Sequence, residues 1–361
     1  MDHPFIIAYY LPQYHPTKNN DIWWGKGFTE WTNVGKAKAL FRGHYQPKVP
    51  ADLGYYDLRL PEVREDQARL AKDAGVGAFC YYHYWFGNGT LELERPLEEV
   101  LRLGEPDFPF CMCWANESWH SKFWNIDGTI SKQTLVEQVY PGDGDIKEHF
   151  DYVLPFFKDN RYLKIDNKPV FVIYRPLGYS QCDHFIQEWN RLARQNGFAG
   201  IYFVGYSLDI KNEYHLIKEL GFDAVDSSRL GHRYPQSTIL RRLNKCRHML
   251  IKKPYIYDYD KIYHSFIGEE ELKDDVLPTI IPNWDHTPRS GNGGYVYSNS
   301  TPENFRKHLH EVLSVVNSKK NKLCFLKSWN EWGEGNYVEP DLKYGHGYLD
   351  AIWDELNLLN K

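Results

Sequence analysis

Short apolar runs alternate along the chain with longer stretches in which apolar residues recur at helical spacing. Eight runs read as strands: Phe5–Tyr10, Val76–Tyr82, Phe108–Trp114, Val170–Tyr174, Ile201–Tyr206, Asp223–Asp226, Val276–Ile281 and Leu323–Ser328. Several are apolar at nearly every position, the pattern of strands covered on both faces of a parallel sheet. Helical patterns occupy Pro61–Asp73, Leu91–Leu103, Asp145–Phe157, Ser180–Gln195, Lys211–Leu220, Pro302–Val316 and Gly347–Leu358. The first opens on proline and stops before Gly75, the expected asymmetry of helix ends. Ser300, just ahead of Pro302, reads as a helix cap. Eight strands with intervening helices, and no repeat or low-complexity linker, predict an α/β fold: a single (β/α)8 TIM barrel over residues 1–361 with elaborated βα loops. An open doubly wound sheet usually carries a glycine-rich phosphate loop after its first strand, and none is present.

Polar and aromatic clusters fall where the apolar runs end. Leu11-Pro12-Gln13-Tyr14-His15 follows the first, His83-Tyr84-Trp85 the second and Ala115-Asn116-Glu117-Ser118-Trp119 the third. Tyr206-Ser207 closes the fifth, Asn283-Trp284-Asp285-His286 follows the seventh, and Trp329–Glu334 the eighth. In a TIM barrel these loops converge at one mouth, where such enzymes place their active sites.

Aromatic residues make up 16% of the chain, with 12 Trp, 27 Tyr and 19 Phe. Many sit in polar company, as in Ile22-Trp23-Trp24-Gly25 and Tyr81-Tyr82-His83-Tyr84-Trp85. Flat rings beside hydrogen-bonding groups suit sugars. An aromatic core with locally bonded tyrosine hydroxyls accounts for the composition equally well.

The charge balance, 43 basic against 48 acidic residues, lacks the basic surplus of a nucleic-acid binder. One cationic stretch stands out, Arg241 to Lys253. It reads first as a solvated helix face, and second as a peripheral contact with an anionic membrane or a pyrophosphate-linked lipid. Cys80, Cys111 and Cys324 lie in apolar runs and read as buried free thiols, and Cys111-Met112-Cys113 is too tight for a bridge. The absence of a CxxC spacing speaks against a zinc site. Free thiols, with no export signal or membrane span in the sequence, lead to the expectation of a cytoplasmic protein.

Glu331 and Glu334 follow the last strand, three residues apart. In a helical turn their side chains would share one face, with Cβ atoms roughly 5–6 Å apart. Retaining glycosidases hold their carboxyls about 5–5.5 Å apart. Gly333 and Gly335 would leave room for substrate, and Trp329 and Trp332 could wall the pocket and raise one carboxyl pKa. A surface glutamate pair beside core tryptophans is the competing reading. Glu117 is a third candidate acid. Arg289 could grip an anionic group or pair structurally with Asp285, the latter being preferred. Ser290–Gly294 reads as a mobile loop.

Longer motifs add to this. Tyr9-Tyr10-Leu11-Pro12-Gln13-Tyr14-His15, Trp24-Gly25-Lys26-Gly27-Phe28-Thr29-Glu30-Trp31, Leu53-Gly54-Tyr55-Tyr56-Asp57, Trp114-Ala115-Asn116-Glu117, Trp284 to Arg289, Trp329-Asn330-Glu331-Trp332-Gly333-Glu334-Gly335 and Val338-Glu339-Pro340-Asp341 occur in one order. With them the chain resembles, over nearly its whole length, the WbsX-like proteins of bacterial polysaccharide clusters, which are glycoside hydrolase family 99-like. The resemblance implies a (β/α)8 barrel and retaining, endo-acting α-mannoside cleavage without a metal or cofactor. It makes Glu331 the base that deprotonates the sugar 2-hydroxyl, giving a 1,2-anhydro intermediate. Glu334 becomes the acid/base that protonates the leaving oxygen and later activates water. Gly333 departs from the histidine that family hydrolases often carry there.

Strand-end clusters and motifs together nominate a substrate-binding set: Tyr10, Gln13, Tyr14, His15, Trp24, His83, Tyr84, Trp114, Asn116, Glu117, Tyr206, Trp284, Arg289, Trp329, Asn330 and Trp332. The expected partner is an oligosaccharide or polysaccharide, free or lipid-linked, of a bacterial surface polymer such as lipopolysaccharide O-antigen or its precursor. A glycosyltransferase on the same barrel and a non-catalytic glycan-binding barrel are the alternatives.

Overall fold

The computed structural model describes residues 3–124, 130–231, 242 and 253–359. Eight strands run parallel: β1 (Phe5–Tyr10), β2 (Val76–Trp85), β3 (Phe110–Trp114), β4 (Lys168–Ile173), β5 (Tyr202–Ser207), β6 (Ala224–Ser227), β7 (Val276–Ile280) and β8 (Leu323–Leu326). Each pairs with the next, and β8 returns to β1 with Phe5 opposite Leu323, so the sheet closes into a barrel. Closure explains the near-continuous apolar runs. Residues 6–10 of β1 are all fully buried, one face toward the barrel interior and the other toward surrounding helices.

The outer layer comprises α1 (Pro61–Asp73), α2 (Arg95–Leu103), α3 (Asp143–Lys158), α4 (Cys182–Gln195), α5 (Ile210–Glu219), α6 (Pro302–Ser318) and α7 (Gly347–Leu359). Helix α1 ends at Gly75, whose φ of +85° is easy only for glycine. The cap of α6 is Thr301 and not Ser300: the Thr301 hydroxyl accepts from the Asn304 amide, while Ser300 Oγ donates to the Tyr297 carbonyl. Pro302 at the first helical position sets the cap one residue later than expected. The cysteines at 80, 111, 113, 182 and 324 are buried free thiols.

The barrel interior is aromatic with a polar thread. The Tyr9 ring stacks on Tyr82 at 5.4 Å and on Phe325 at 5.0 Å. Its hydroxyl donates to the buried Asp226 at 2.5 Å, which also accepts from Thr279 at 2.5 Å. Burial pushes the Asp226 carboxyl up to about 6, against those hydrogen bonds.

Around β7 the chain builds a parallel ribbon, Tyr255–Asp258 against Tyr295–Ser298. It covers a separate apolar cluster that includes Tyr259, Phe266, Trp284 and Tyr297. Ser290–Gly294, expected as a mobile loop, closes the helical turn Thr287–Ser290 and runs on into a 3₁₀ turn at Gly291–Gly293. The Gly294 amide donates to the Gly291 carbonyl. Among the described residues no helix is long and apolar enough to cross a membrane. The basic stretch 241–253 lies outside the described residues except at Arg242 and Lys253.

Candidate active site

A cavity of about 680 Å³ opens at the C-terminal ends of the barrel strands. Glu331 and Glu334 both line it. After β8 the chain forms a short strand, Asn330–Glu331, paired with Asn336–Tyr337, and then a 3₁₀ turn over Trp332–Glu334. Three residues per turn return positions i and i+3 to one side, so the two carboxyls lie close enough to shift each other's ionisation.

Their environments differ. Glu331 is 5% exposed, accepts from Ser328 Oγ at 3.2 Å and lies 3.7 Å from Lys327 Nζ. Burial, and then the neighbouring Glu334 charge, push its carboxyl up to about 7, with Lys327 opposing. Burial also works against ionising Glu334, but Arg289 overrides it, seconded by His286 at 3.6 Å. Arg289 Nη1 donates to Glu334 at 2.5 Å, and Glu334 is held well below the usual carboxylate range. The same guanidinium donates through Nε to Glu30 at 2.9 Å. Glu30, Glu331 and Glu334 thus face two cations, Arg289 and Lys327. Of the pair, Glu331 holds its proton the more tightly and Glu334 is the one favoured as the anion.

Lys327 sits at the cavity floor. Its ammonium donates to Tyr82 Oη at 2.6 Å and lies 5.2–5.7 Å from the ring centres of Tyr9, Tyr82, Tyr174 and Tyr206. Burial alone would discharge it, yet the tyrosines and Glu331 hold its pKa well above the ordinary lysine value. Lys327, Glu30, Tyr82, Tyr174 and Tyr295 were not foreseen as cavity residues. A lone lysine at the end of the apolar run Leu323–Ser328 was the available signal for the first.

Of the expected substrate-binding set, Gln13, Trp24, Tyr84, Glu117, Tyr206, Trp284 and Arg289 line the cavity. Tyr206 stacks on Tyr174 at 4.6 Å, and Trp284 on Tyr295 at 5.4 Å, giving two flat walls. Glu117 stands at the rim, paired with Arg175 at 3.0 Å.

The rest of the set is packed beneath or beside the cavity. Tyr10 is fully buried and donates to Gln67. His15 closes onto the Pro12 carbonyl, and His83 meets His149 at 2.8 Å away from the mouth. Trp114 donates to the Trp85 carbonyl, and Asn116 braces the Arg175 backbone from both ends of its amide. Trp329 and Trp332 are fully buried and do not wall the pocket: Trp329 packs on Phe79, and Trp332 stacks on Tyr337 at 3.7 Å.

These buried residues hold the carboxylate turn in place. The Asn330 amide bonds both the Leu11 amide and carbonyl, tying the turn to β1. The Tyr14 hydroxyl donates to the Asn330 carbonyl and accepts from the Trp332 amide. Trp332 Nε1 donates to Glu339 at 2.6 Å, which also accepts from Gln67 and Tyr56. Burial pushes Glu339 up to about 7. Two further expectations change. Arg289 does not pair with Asp285, which is taken up by His44, Gln46 and Thr287. Gly333 leaves room for Glu30 and not for substrate.

The family model for the glycosyltransferase WbsX matches residues 6–352. The chain belongs to the WbsX glycosyltransferase family. As a member of this glycosyltransferase family the chain is a carbohydrate-active enzyme. It is 34% identical over 357 residues to the uncharacterized protein WxcX of Xanthomonas campestris pv. campestris, covering 96% of this chain and 48% of that one. The chain thus spans about half the length of the curated relatives it matches. Among solved structures, a glycoside hydrolase-like protein aligns over 99% of this chain and 94% of its own, with TM-score 0.64 and 15% identity. The GH99 endo-α-mannosidase of Bacteroides thetaiotaomicron aligns over 100% and 99%, with TM-score 0.57 and 16% identity. At such identities these structures share the fold of this WbsX-family barrel.

Proposed function

We propose that the mouth cavity cleaves or transfers α-mannoside-like linkages of a bacterial surface polysaccharide or its precursor, with retention, through Glu331 and Glu334. The observation that carries this reading is a pair of neighbouring carboxyls in unequal surroundings, Glu334 on Arg289 and Glu331 buried beside Lys327, in an aromatic-walled cavity. An acid and a base must be present together, and unequal environments provide them within one turn. Stacked rings at Tyr174–Tyr206 and Trp284–Tyr295 offer faces to sugar C–H groups, and Gln13 and Glu117 offer polar partners.

In the neighbouring-group route Glu331 takes the 2-hydroxyl proton and Glu334 delivers one to the leaving oxygen. Arg289 favours the ionised form of Glu334 and burial the protonated form of Glu331, so this route needs a proton to pass from Glu331 to Glu334 before the leaving oxygen is protonated. Exchanged roles, with Glu331 as acid, are the second reading, and the pKa order favours it. A glycosyl fluoride needs no acid for its departure, so the variant lacking only the acid keeps activity on it. Retention of fluoride turnover by Glu334→Gln supports the first assignment, and by Glu331→Gln the second.

Function itself is tested by offering the purified protein the source polysaccharide, its lipid-linked precursor and nucleotide sugars, beside both Gln variants. Cleavage abolished by either substitution supports the hydrolytic reading. Product formed only from an activated donor supports transfer. Binding without turnover under every condition would sink both.

A further inference from the structure

We propose that a second cavity of about 500 Å³, sharing Trp284 as a wall with the first, binds an anionic sugar unit, a hexuronate or a phosphorylated hexose. Its size suits one or two sugar rings. Tyr45, Tyr337 and Tyr344 provide flat apolar surface, and Arg42, Lys48 and Lys343 provide positive charge. None of these three cations joins a salt bridge among the described residues. Lys48 is 7% exposed, yet its ammonium makes one long hydrogen bond, 3.4 Å to the Gly335 carbonyl. It otherwise rests 5.0 Å from the Tyr337 ring centre. Lys343 Nζ stands 4.6 Å from the Tyr45 ring and 4.8 Å from that of Tyr344.

The nearby acids are already occupied. Asp285 accepts from Gln46, the Thr287 amide and the Thr287 hydroxyl, and its fourth neighbour is His44 Nε2 at 2.7 Å. Asp341 accepts from the Tyr337 hydroxyl and the Lys343 and Tyr344 amides. Asp285 and Asp341 both act on Lys48, but three cations against two carboxylates leave a positive surplus, so an anion is the complementary ligand. Two lining residues, Tyr45 through Oη and Trp284 through Nε1, also hold buried polar atoms without a hydrogen-bond partner among the described residues. In the mouth cavity, by comparison, the inner cations Arg289 and Lys327 face carboxylates, and Lys36 is the lining cation outside any ion pair among the described residues. The inference rests on the chain handling saccharides and not on the Glu331–Glu334 chemistry.

Calorimetric titration of the full chain with glucuronate, glucose 6-phosphate, glucose and inorganic phosphate tests it. At least one sugar anion should bind more tightly than glucose and than phosphate. Binding of glucuronate alone identifies a uronate site, and of glucose 6-phosphate alone a phosphosugar site. Lys343→Ala, an exposed rim substitution, and Tyr45→Phe should each weaken that binding, the former by about tenfold or more. Glu334→Gln should leave it unchanged. The proposal fails if neither sugar anion binds, if phosphate binds as tightly, if Lys343→Ala and Tyr45→Phe bind like the parent, or if Glu334→Gln abolishes binding. Glycan turnover is measured separately, so an inactive protein that binds the anion would refute the mouth reading and leave this one standing.

Discussion

A Cβ built on Gly333 would lie 1.6 Å from Glu30 Oε1, so the carboxylate of a residue near the start of the chain fills the place where a side chain at 333 would go. From there Glu30 receives Arg289, whose other arm fixes Glu334. The glycine between the two motif glutamates is thereby a condition for the ion network.

Gly333→Ala is expected to displace Glu30 and loosen Arg289 from Glu334. Overpacking of this kind typically costs about 1–3 kcal/mol. The measurement is a urea midpoint, read beside kcat. An unchanged midpoint and kcat would show that Glu30 can move aside freely.

Arg289→Met removes the cation that depresses Glu334. The Glu334 carboxyl then titrates at higher pH, and the acid limb of the kcat/KM profile, where Glu334 gains its proton, should move upward. Activity should fall by about a hundredfold or more, the usual scale for losing a charge-stabilising partner in an excluded site. Because a part-buried, charge-assisted contact is broken, stability should also drop, by about 1.5–3 kcal/mol. A limb that stays in place would dissociate Arg289 from Glu334 ionisation.

Lys327→Met should raise Glu331 further above about 7, since the ammonium is what opposes its protonation. The limb of the pH profile governed by Glu331 should shift to higher pH, with kcat affected more than KM. A matching result with Lys327→Arg would show that packing among the four tyrosines, and not charge, carries the effect.

Glu339 gives a stability prediction. Its folded pKa, about 7, lies above the ordinary glutamate value, so its contribution is fully present below about 4.5 and is lost as pH rises through 7. Glu339→Gln cannot ionise, so its deficit relative to the parent should shrink between pH 4.5 and 8. Denaturation midpoints across that range check the sign. A deficit that grows with pH would mean the ionised form is the stabilising one.

Much of the barrel is legible in the one-dimensional pattern. The strand at Phe5–Tyr10 and the helix at Pro61–Asp73 have the bounds read from the sequence, and the other six helices and seven strands differ by a few residues at their ends. Such patterns are visible because burial on both faces demands apolar residues at successive positions, and helix ends demand proline and glycine. The Glu331–Glu334 pair is visible for a similar reason: its spacing is local, and it follows a strand.

Side-chain direction was not legible in the same way. Trp284 and Trp332 both sit in polar company after a strand, yet one lines the cavity and the other is fully covered. The difference is set by what packs against them, Tyr295 in one case and Tyr337 with Glu339 in the other.

The sequence by itself determined the order of strands and helices, the mouth at which their loops meet, and the two carboxylates carried there. Only the tertiary structure decided that Arg289 reaches Glu30, 259 positions away, and that Lys327 stands among four tyrosines. The unequal proton affinities of Glu331 and Glu334 follow from those contacts. Periodicity is a property of neighbours along the chain, whereas burial and Coulomb interactions depend on distances that exist only after the barrel has closed.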